Sequence, residues 1–355
     1  MRPAPRFLAS LVALALAYSS LPARAADLNR LLPDDTNFIV TINVKQILRT
    51  PGFIKNQKQI DDLLKQDAVQ MVLKGTGFNP LKDIDRLVLC SGTSGHPEEG
   101  TFDKQVAMQP GGPVVLAQGR FDQDKIQARF NELAKDMSDT LKIHGIGKAD
   151  VLEIKSPGFL CFVAVVNPET LVACPRRDQV EDILEKAAGQ RQTELKSPGI
   201  AKLIGGLDLK QSIQVAAAAD MITGSRISSR SENGKTTTTV KLERLGDSGI
   251  ESLVGGGQAG DKLQGKVTLT AKDSDTAKSL AESFEQTLAK IKQEGARRTE
   301  NPKEFAPILE ALNTVKIASK DRTITIEGQI GAEVAQAMFK YWLLAVPPTP
   351  VDKDK

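Results

Sequence analysis

Residues 162–187 read FVAVVNPETLVACPRRDQVEDILEKA, and residues 315–342 read VKIASKDRTITIEGQIGAEVAQAMFKYW. Each is an apolar run, a tight polar turn, a second apolar run and an amphipathic segment, which is the pattern of a β-hairpin followed by a helix. At an offset of 153 residues Asn167 meets Lys320, Glu169 meets Arg322 and Leu171 meets Ile324. At 154, the helical stripe Val180, Ile183, Leu184 and Ala187 meets Val334, Ala337, Met338 and Tyr341.

The two hairpins differ in their faces. Pairing Asn167 with Thr170 puts Cys174 opposite Val163. Cys161, Val163, Val165, Val172 and Cys174 then share one face, and Leu160, Phe162, Ala164, Val166, Leu171 and Ala173 share the other. Both faces are apolar, so the second is expected either to pack against a helix or the other copy within the same chain, or to form a partner or self-association surface. In the later hairpin, pairing Ser319 with Arg322 sets Ile317 against Ile324. Lys316, Ala318, Thr323 and Thr325 fall on the opposite, wet face.

The correspondence continues upstream. VVLAQGRFDQDKIQARFNELAKDM and KVTLTAKDSDTAKSLAESFEQTLAKI both run strand, Asp-x-Asp, helix, which aligns Asp122 and Asp124 with Asp273 and Asp275. Aspartates at this boundary are read as helix caps. The reading is a tandem duplication of an antiparallel sheet with helices packed on one face, an α+β fold. The first repeat covers 26–192 and the second 193–346, followed by a flexible tail at 347–355. The inserts differ: 92–112 is a polar Gly and Pro loop, and 223–245 is open between a long Asn-Gly hairpin and disorder.

The first 25 residues, MRPAPRFLASLVALALAYSSLPARA, carry Arg2 and Arg6, a short apolar core and an Ala-Arg-Ala end. They read as a secretory signal cleaved before Ala26, which is not the cysteine of a lipoprotein. No transmembrane segment is expected after cleavage, and the product is expected in the periplasm or outside the cell. The signal also contains Arg24, so the 47 Lys and Arg less three leave 44, against 44 Asp and Glu. A balanced chain offers no basic surface for nucleic acid. With 4% aromatic residues and one Trp, it has few stacking surfaces for sugars or bases.

The motifs that suggest chemistry do not assemble a site. GDSG at 246–249 resembles the surroundings of a protease serine, but neither His96 nor His144 has the sequence context of the base, so Ser248 is read as a turn residue. GGGQAGDK at 255–262 lacks the Gly-Lys-Ser/Thr of a phosphate loop and is read as a flexible connector. Cys90 and His96 are too few for zinc, and Cys161 and Cys174 are diagonal across the hairpin, so buried thiols are expected. No catalytic, cofactor-binding or metal residue is assigned.

The stretches LLPDDTNFIVTINVKQILRTPGF and GTGFNPLKDIDRLVL, with the strand, turn, strand, helix segment, resemble a group of uncharacterised exported bacterial proteins of the domain-of-unknown-function kind. The resemblance implies no activity, cofactor or binding residue. The expectation is a non-catalytic cell-envelope protein that acts by protein binding or by self-association. The alternative is a carrier of an apolar ligand or lipid held between sheet and helices.

Overall fold

The computed structural model describes residues 30–65, 70, 73–92, 113–156, 159–218, 223–232, 235–297, 302–331 and 334. The signal segment, His96, most of the 92–112 loop, the tail and most of the helix expected after residue 333 lie outside the described residues.

Twelve strands form one antiparallel sheet. In chain order they are β1 (Thr36–Asn43), β2 (Ile84–Gly92), β3 (Val114–Gly119), β4 (Leu141–Ile146), β5 (Ala149–Ser156), β6 (Phe159–Asn167), β7 (Thr170–Cys174), β8 (Ile213–Ala218), β11 (Ile250–Ala259), β12 (Lys262–Ala271), β13 (Lys316–Lys320) and β14 (Thr323–Gly331). Their order across the sheet is β13-β14-β12-β11-β8-β1-β2-β3-β7-β6-β5-β4. The segment left open between hairpin and disorder is a hairpin, β9 (Thr223–Glu232) with β10 (Lys235–Arg244), paired throughout as a separate two-stranded sheet.

Helices with both ends among the described residues include α1 (Val44–Leu48), α2 (Pro51–Leu64), α3 (Pro80–Asp83), α4 (Gln123–Asp136), α5 (Arg177–Ala187), α6 (Pro198–Gly205), α7 (Ser274–Arg297) and α8 (Pro302–Thr314). None of them is long and apolar enough to cross a membrane, which leaves strand-built crossings unaddressed. Both anticipated caps are present. Asp122 Oδ1 accepts from Lys125 N at 3.2 Å at the start of α4, and Asp273 Oδ1 accepts from Thr276 N at 2.7 Å at the start of α7.

The helices do not share one face. On α4, Ile126, Phe130 and Leu133 recur at helical spacing and cover Leu152 and Val165 on what we term face A. On α5, Val180 and Ile183 cover Ala164, Val172 and Cys174 on face B, where Ile200 and Ile204 of α6 join them. Farther along face A, α7 sets Ala277 and Ala281 on Leu269 and Ile324. The expectation of helices on one face fails because strands β6 and β7 are apolar on both sides, so each side is covered.

Register explains a second difference. Asn167 pairs with Thr170 as expected, but Val166 is an extra residue in β6. Phe162, not Val163, therefore faces Cys174, and Val165 faces Leu171. A one-residue bulge exchanges faces for everything beyond it. Cys161 thus opposes Ile154 on face A and Cys174 lies on face B, so they cannot bridge. In the later hairpin Lys320 pairs with Thr323 and Ile317 with Ile326. That is a shift of two residues, which preserves the dry face. Asp321 takes φ +51° in the tight turn, a conformation aspartate tolerates.

The glycine run read as a connector is the body of β11. At Gly255 a Cβ would lie 2.9 Å from Val215 Cγ1, so the missing side chain lets two strands' residues close over the position.

Candidate functional site

A cleft of about 720 Å3 opens at the end of the sheet where β1 finishes and β2 begins. Its floor is built by register. Asn43 pairs with Arg86, Arg86 with Gln118, and Gln118 with Thr170, which sets four polar side chains in a row on face B across β1, β2, β3 and β7. The next rows inward are Thr41, Val88, Leu116 and Val172, then Ile39, Cys90, Val114 and Cys174. Apart from Thr41 these are apolar or thiol-bearing, so the polar row is confined to the cleft.

Local structure holds each floor residue. Asn43 caps α1, its Oδ1 accepting from Gln46 N at 3.1 Å, and its own N–H donates to Ser212 O at 2.8 Å. Arg86 donates from Nη2 to Leu209 O at 3.1 Å and from Nη1 to Gln118 Oε1 at 3.5 Å. Lys45 forms an ion pair with Asp85 at the rim. Gly119 ends β3 directly beneath the Asp83 carbonyl: an added Cβ would stand 1.8 Å from that oxygen. This closeness lets the 167–169 turn dock, with Gly119 N donating to Glu169 O at 2.9 Å and Phe121 N to Pro168 O at 2.8 Å.

Behind one wall lies an ionic cluster, which reaches the cleft lining through Lys186. Lys186 is 1% exposed, and its ammonium donates to Leu32 O at 2.9 Å, Asp34 Oδ1 at 2.7 Å and Asp182 Oδ2 at 2.6 Å. Those are the three bonds an ammonium can donate. Arg191 bridges the same two carboxylates, meeting Asp182 Oδ1 at 2.6 Å and Asp34 Oδ2. Burial pushes the Asp34 carboxyl up, but the bonds from Lys186 and Glu194 N, with the charges of Lys186 and Arg191, hold it below its ordinary 3.8. The cluster ties residues 30–34 to the end of α5.

The residues singled out in the sequence lie elsewhere. Ser248 is in the short turn Leu245–Ser248 before β11, while His144 is on the outermost strand β4. Eight strand spacings separate these strands, roughly 38 Å. His144 Nε2 instead meets Glu153 Oε2 at 2.5 Å. The three cysteines are unbridged and buried. Burial pushes the thiols of Cys90 and Cys174 up to about 12 and that of Cys161 to about 11, the opposite of what a nucleophile needs. No group of three His, Cys, Asp or Glu among the described residues could hold a metal.

Sequence reasoning found none of the cleft. Its floor comes from four strands separated by loops and helices, and no spacing along the chain marks them as neighbours. The one available signal was Lys186, a lysine on the apolar stripe of an otherwise regular helix.

Architecture and cleft together define a broad class, an α+β protein with one large antiparallel sheet and a polar cleft at the strand ends. No known family profile matches the chain, and no curated protein matches it. Among solved structures, crystal form I of TP0453 is similar at a TM-score of 0.45 and 8% identity, over 88% of this chain and 96% of that one. A likeness of this size carries no functional argument.

Proposed function

We propose an exported, non-catalytic protein of the cell envelope that acts by binding another protein, with the strand-end cleft as the contact site. One observation carries the reading. The charged groups at the floor and inner wall of the cleft are engaged in holding its shape, Lys45 with Asp85, Lys186 with Asp34 and Asp182, and Arg86 with a backbone carbonyl. Groups fixed in this way suit recognition, whereas acid and base catalysis needs a group poised to exchange a proton.

The scaffold on this reading arose by tandem duplication. Support comes from the strand order, which runs β1-β2-β3-β7-β6 in one direction from the centre and β8-β11-β12-β14-β13 in the other. The caps Asp122 and Asp273 occupy corresponding places in the two halves.

A second reading, the carrier of an apolar ligand, is favoured by one surface. On face A, Val40, Ile42, Leu87, Leu89, Val115 and Val215 of the central strands are half-buried. Their neighbours beneath α4 and α7, such as Val165 and Ile324, are closed off.

The test is a photo-crosslinking amino acid placed at the exposed rim positions Glu169 or Asp208 in cells, with Lys278 on α7 as control. The expected result is a discrete protein adduct from the rim positions alone, on a mature chain whose first residue is Ala26. Absence of rim adducts together with turnover that depends on one side chain overturns the reading. Co-purification of a stoichiometric lipid, released by changing Val40 and Leu89 to Glu, selects the carrier.

A further inference from the structure

We propose that two copies of this chain associate through β4, which pairs with its own counterpart in antiparallel register about Ile143. The strand-end cleft takes no part in this contact. Among the described residues β4 closes one end of the sheet and β13 closes the other. The β13 end is blunted. Lys316 and Lys320 stand at the ends of that strand, and just before it Thr314 Oγ1 accepts from Gln329 N of β14 at 2.7 Å. Edge lysines and capped backbone groups resist the addition of a further strand. β4 follows β5 without a bulge or a proline, and its outer side is open among the described residues.

Hydrogen-bond parity fixes which groups β4 can offer. Lys155 N donates to Thr140 O at 2.8 Å, so Lys142, His144 and Ile146 exchange bonds with β5, and Leu141, Ile143 and Gly145 turn their backbone groups outward. Leu141 N donates to Met137 O at 2.8 Å. The outward groups left are Leu141 O and the N–H and C=O of Ile143 and Gly145. A second β4 reaches them only where outward residues pair with outward residues. Centring the two-fold axis on Lys142 sets two ammonium groups opposite each other, which is repulsive. Centring it on His144 leaves Leu141 O without a partner in the strand. Centring it on Ile143 lets Ile143 N of each copy donate to Ile143 O of the other, and each Gly145 N donate to the opposite Leu141 O.

The side chains favour the same register. On face A, Leu141 stands opposite Gly145 of the other copy, where nothing lies within 4 Å of the Cβ position, so the larger side chain has room. Half-buried Ile143 meets itself at the axis. On face B the exposed Lys142, which has no ion pair among the described residues, stands opposite His144, whose Nε2 meets Glu153 Oε2 at 2.5 Å. Each copy thus offers a lysine to the carboxylate-backed imidazole of the other. A two-fold contact must complement itself in this way, and a strand of unrelated sequence has no reason to.

The experiment follows the mature chain, residues 26–355, by sedimentation velocity and by disulfide trapping. A reversible monomer–dimer equilibrium with a dissociation constant below about 1 mM is expected. Gly145→Leu fills the space that Leu141 of the other copy needs, and is expected to weaken the dimer ten-fold or more. The melting temperature of the monomer should hold, because that Cβ position is open in the single chain. Lys142→Glu, at an exposed position that any fold tolerates, is expected to weaken the dimer as well and is read alone should Gly145→Leu fail to fold. Ile143→Cys is expected to oxidise to a covalent dimer, since Cα atoms in a hydrogen-bonded antiparallel pair lie about 5.5 Å apart, within disulfide reach. Lys142→Cys, offset from its own copy across the axis, is not expected to close. The native thiols are buried and stay out of the reaction. A chain that remains monomeric overturns the proposal, whatever strand of another protein the edge accepts. So does a dimer indifferent to both Gly145→Leu and Lys142→Glu, or a trap that closes at Lys142→Cys or His144→Cys in preference to Ile143→Cys.

Discussion

Lys186 Nζ lies 2.7 Å from Asp34 Oδ1 across 152 residues of sequence, and this contact anchors the first described segment to the end of α5. A buried ammonium with three acceptors is costly to break from one side, because the carboxylates it served then face each other. Lys186→Met is expected to destabilise the fold by about 3 kcal/mol or more in urea denaturation. The same cluster sets an acid limit. Asp34 titrates lower in the folded than in the unfolded chain, so its stabilisation is full above the unfolded value near 3.8 and is lost as pH falls through the folded one. Stability is therefore expected to fall as pH drops below about 4, and Asp34→Asn should make that fall shallower. An unchanged pH profile in Asp34→Asn would show that other carboxylates dominate.

Gly119 tests how the cleft is held open. Alanine there forces the Asp83 carbonyl away from β3, and with it the start of β2 that carries Asp85 and Arg86. The expected cost is about 3 kcal/mol, at the upper end for overpacking. Gly145→Ala on the edge strand β4 is the control, since nothing lies within 4 Å of its Cβ position. It should be neutral or slightly stabilising in the same thermal melts.

The buried thiols give a kinetic test of packing. Cys90, Cys161 and Cys174 are buried and their thiols raised to between about 11 and about 12, so iodoacetamide at pH 8 should label none of them in the folded protein. All three should react in urea. Rapid labelling of the native chain would mean that the sheet's interior opens readily.

The physics of the fold explains which parts of it were legible in the sequence. Alternation and helical periodicity depend on near neighbours, so the hairpins, the caps at Asp122 and Asp273, and the α+β class are readable. Face assignment is fragile because it depends on parity. The slip of two residues at Ile317 left its face unchanged, whereas the single bulged residue at Val166 exchanged the faces around Cys174. Gly255 was misread because its reason to be glycine, the approach of Val215, lies on another strand. The same holds for the Asn43, Arg86, Gln118 and Thr170 row, where adjacency exists only after the sheet has formed.

Leu171 decides whether the doubly apolar hairpin is interior or interface. Its pairing places it opposite Val165 and Ala117 on face A, and it packs with the cluster that α4 covers through Ile126, Phe130 and Leu133. Burial of such a side chain contributes roughly 1.5–3 kcal/mol, and an ammonium in its place adds a desolvation cost. Leu171→Lys is therefore expected to lower the melting temperature markedly while leaving the assembly state of the folded fraction unchanged in size-exclusion chromatography. A well-folded variant that no longer associates would make this face a partner surface. Retention of both melting temperature and assembly state would mean that α4 does not cover the hairpin in solution, and the packing of face A described above would have to be abandoned.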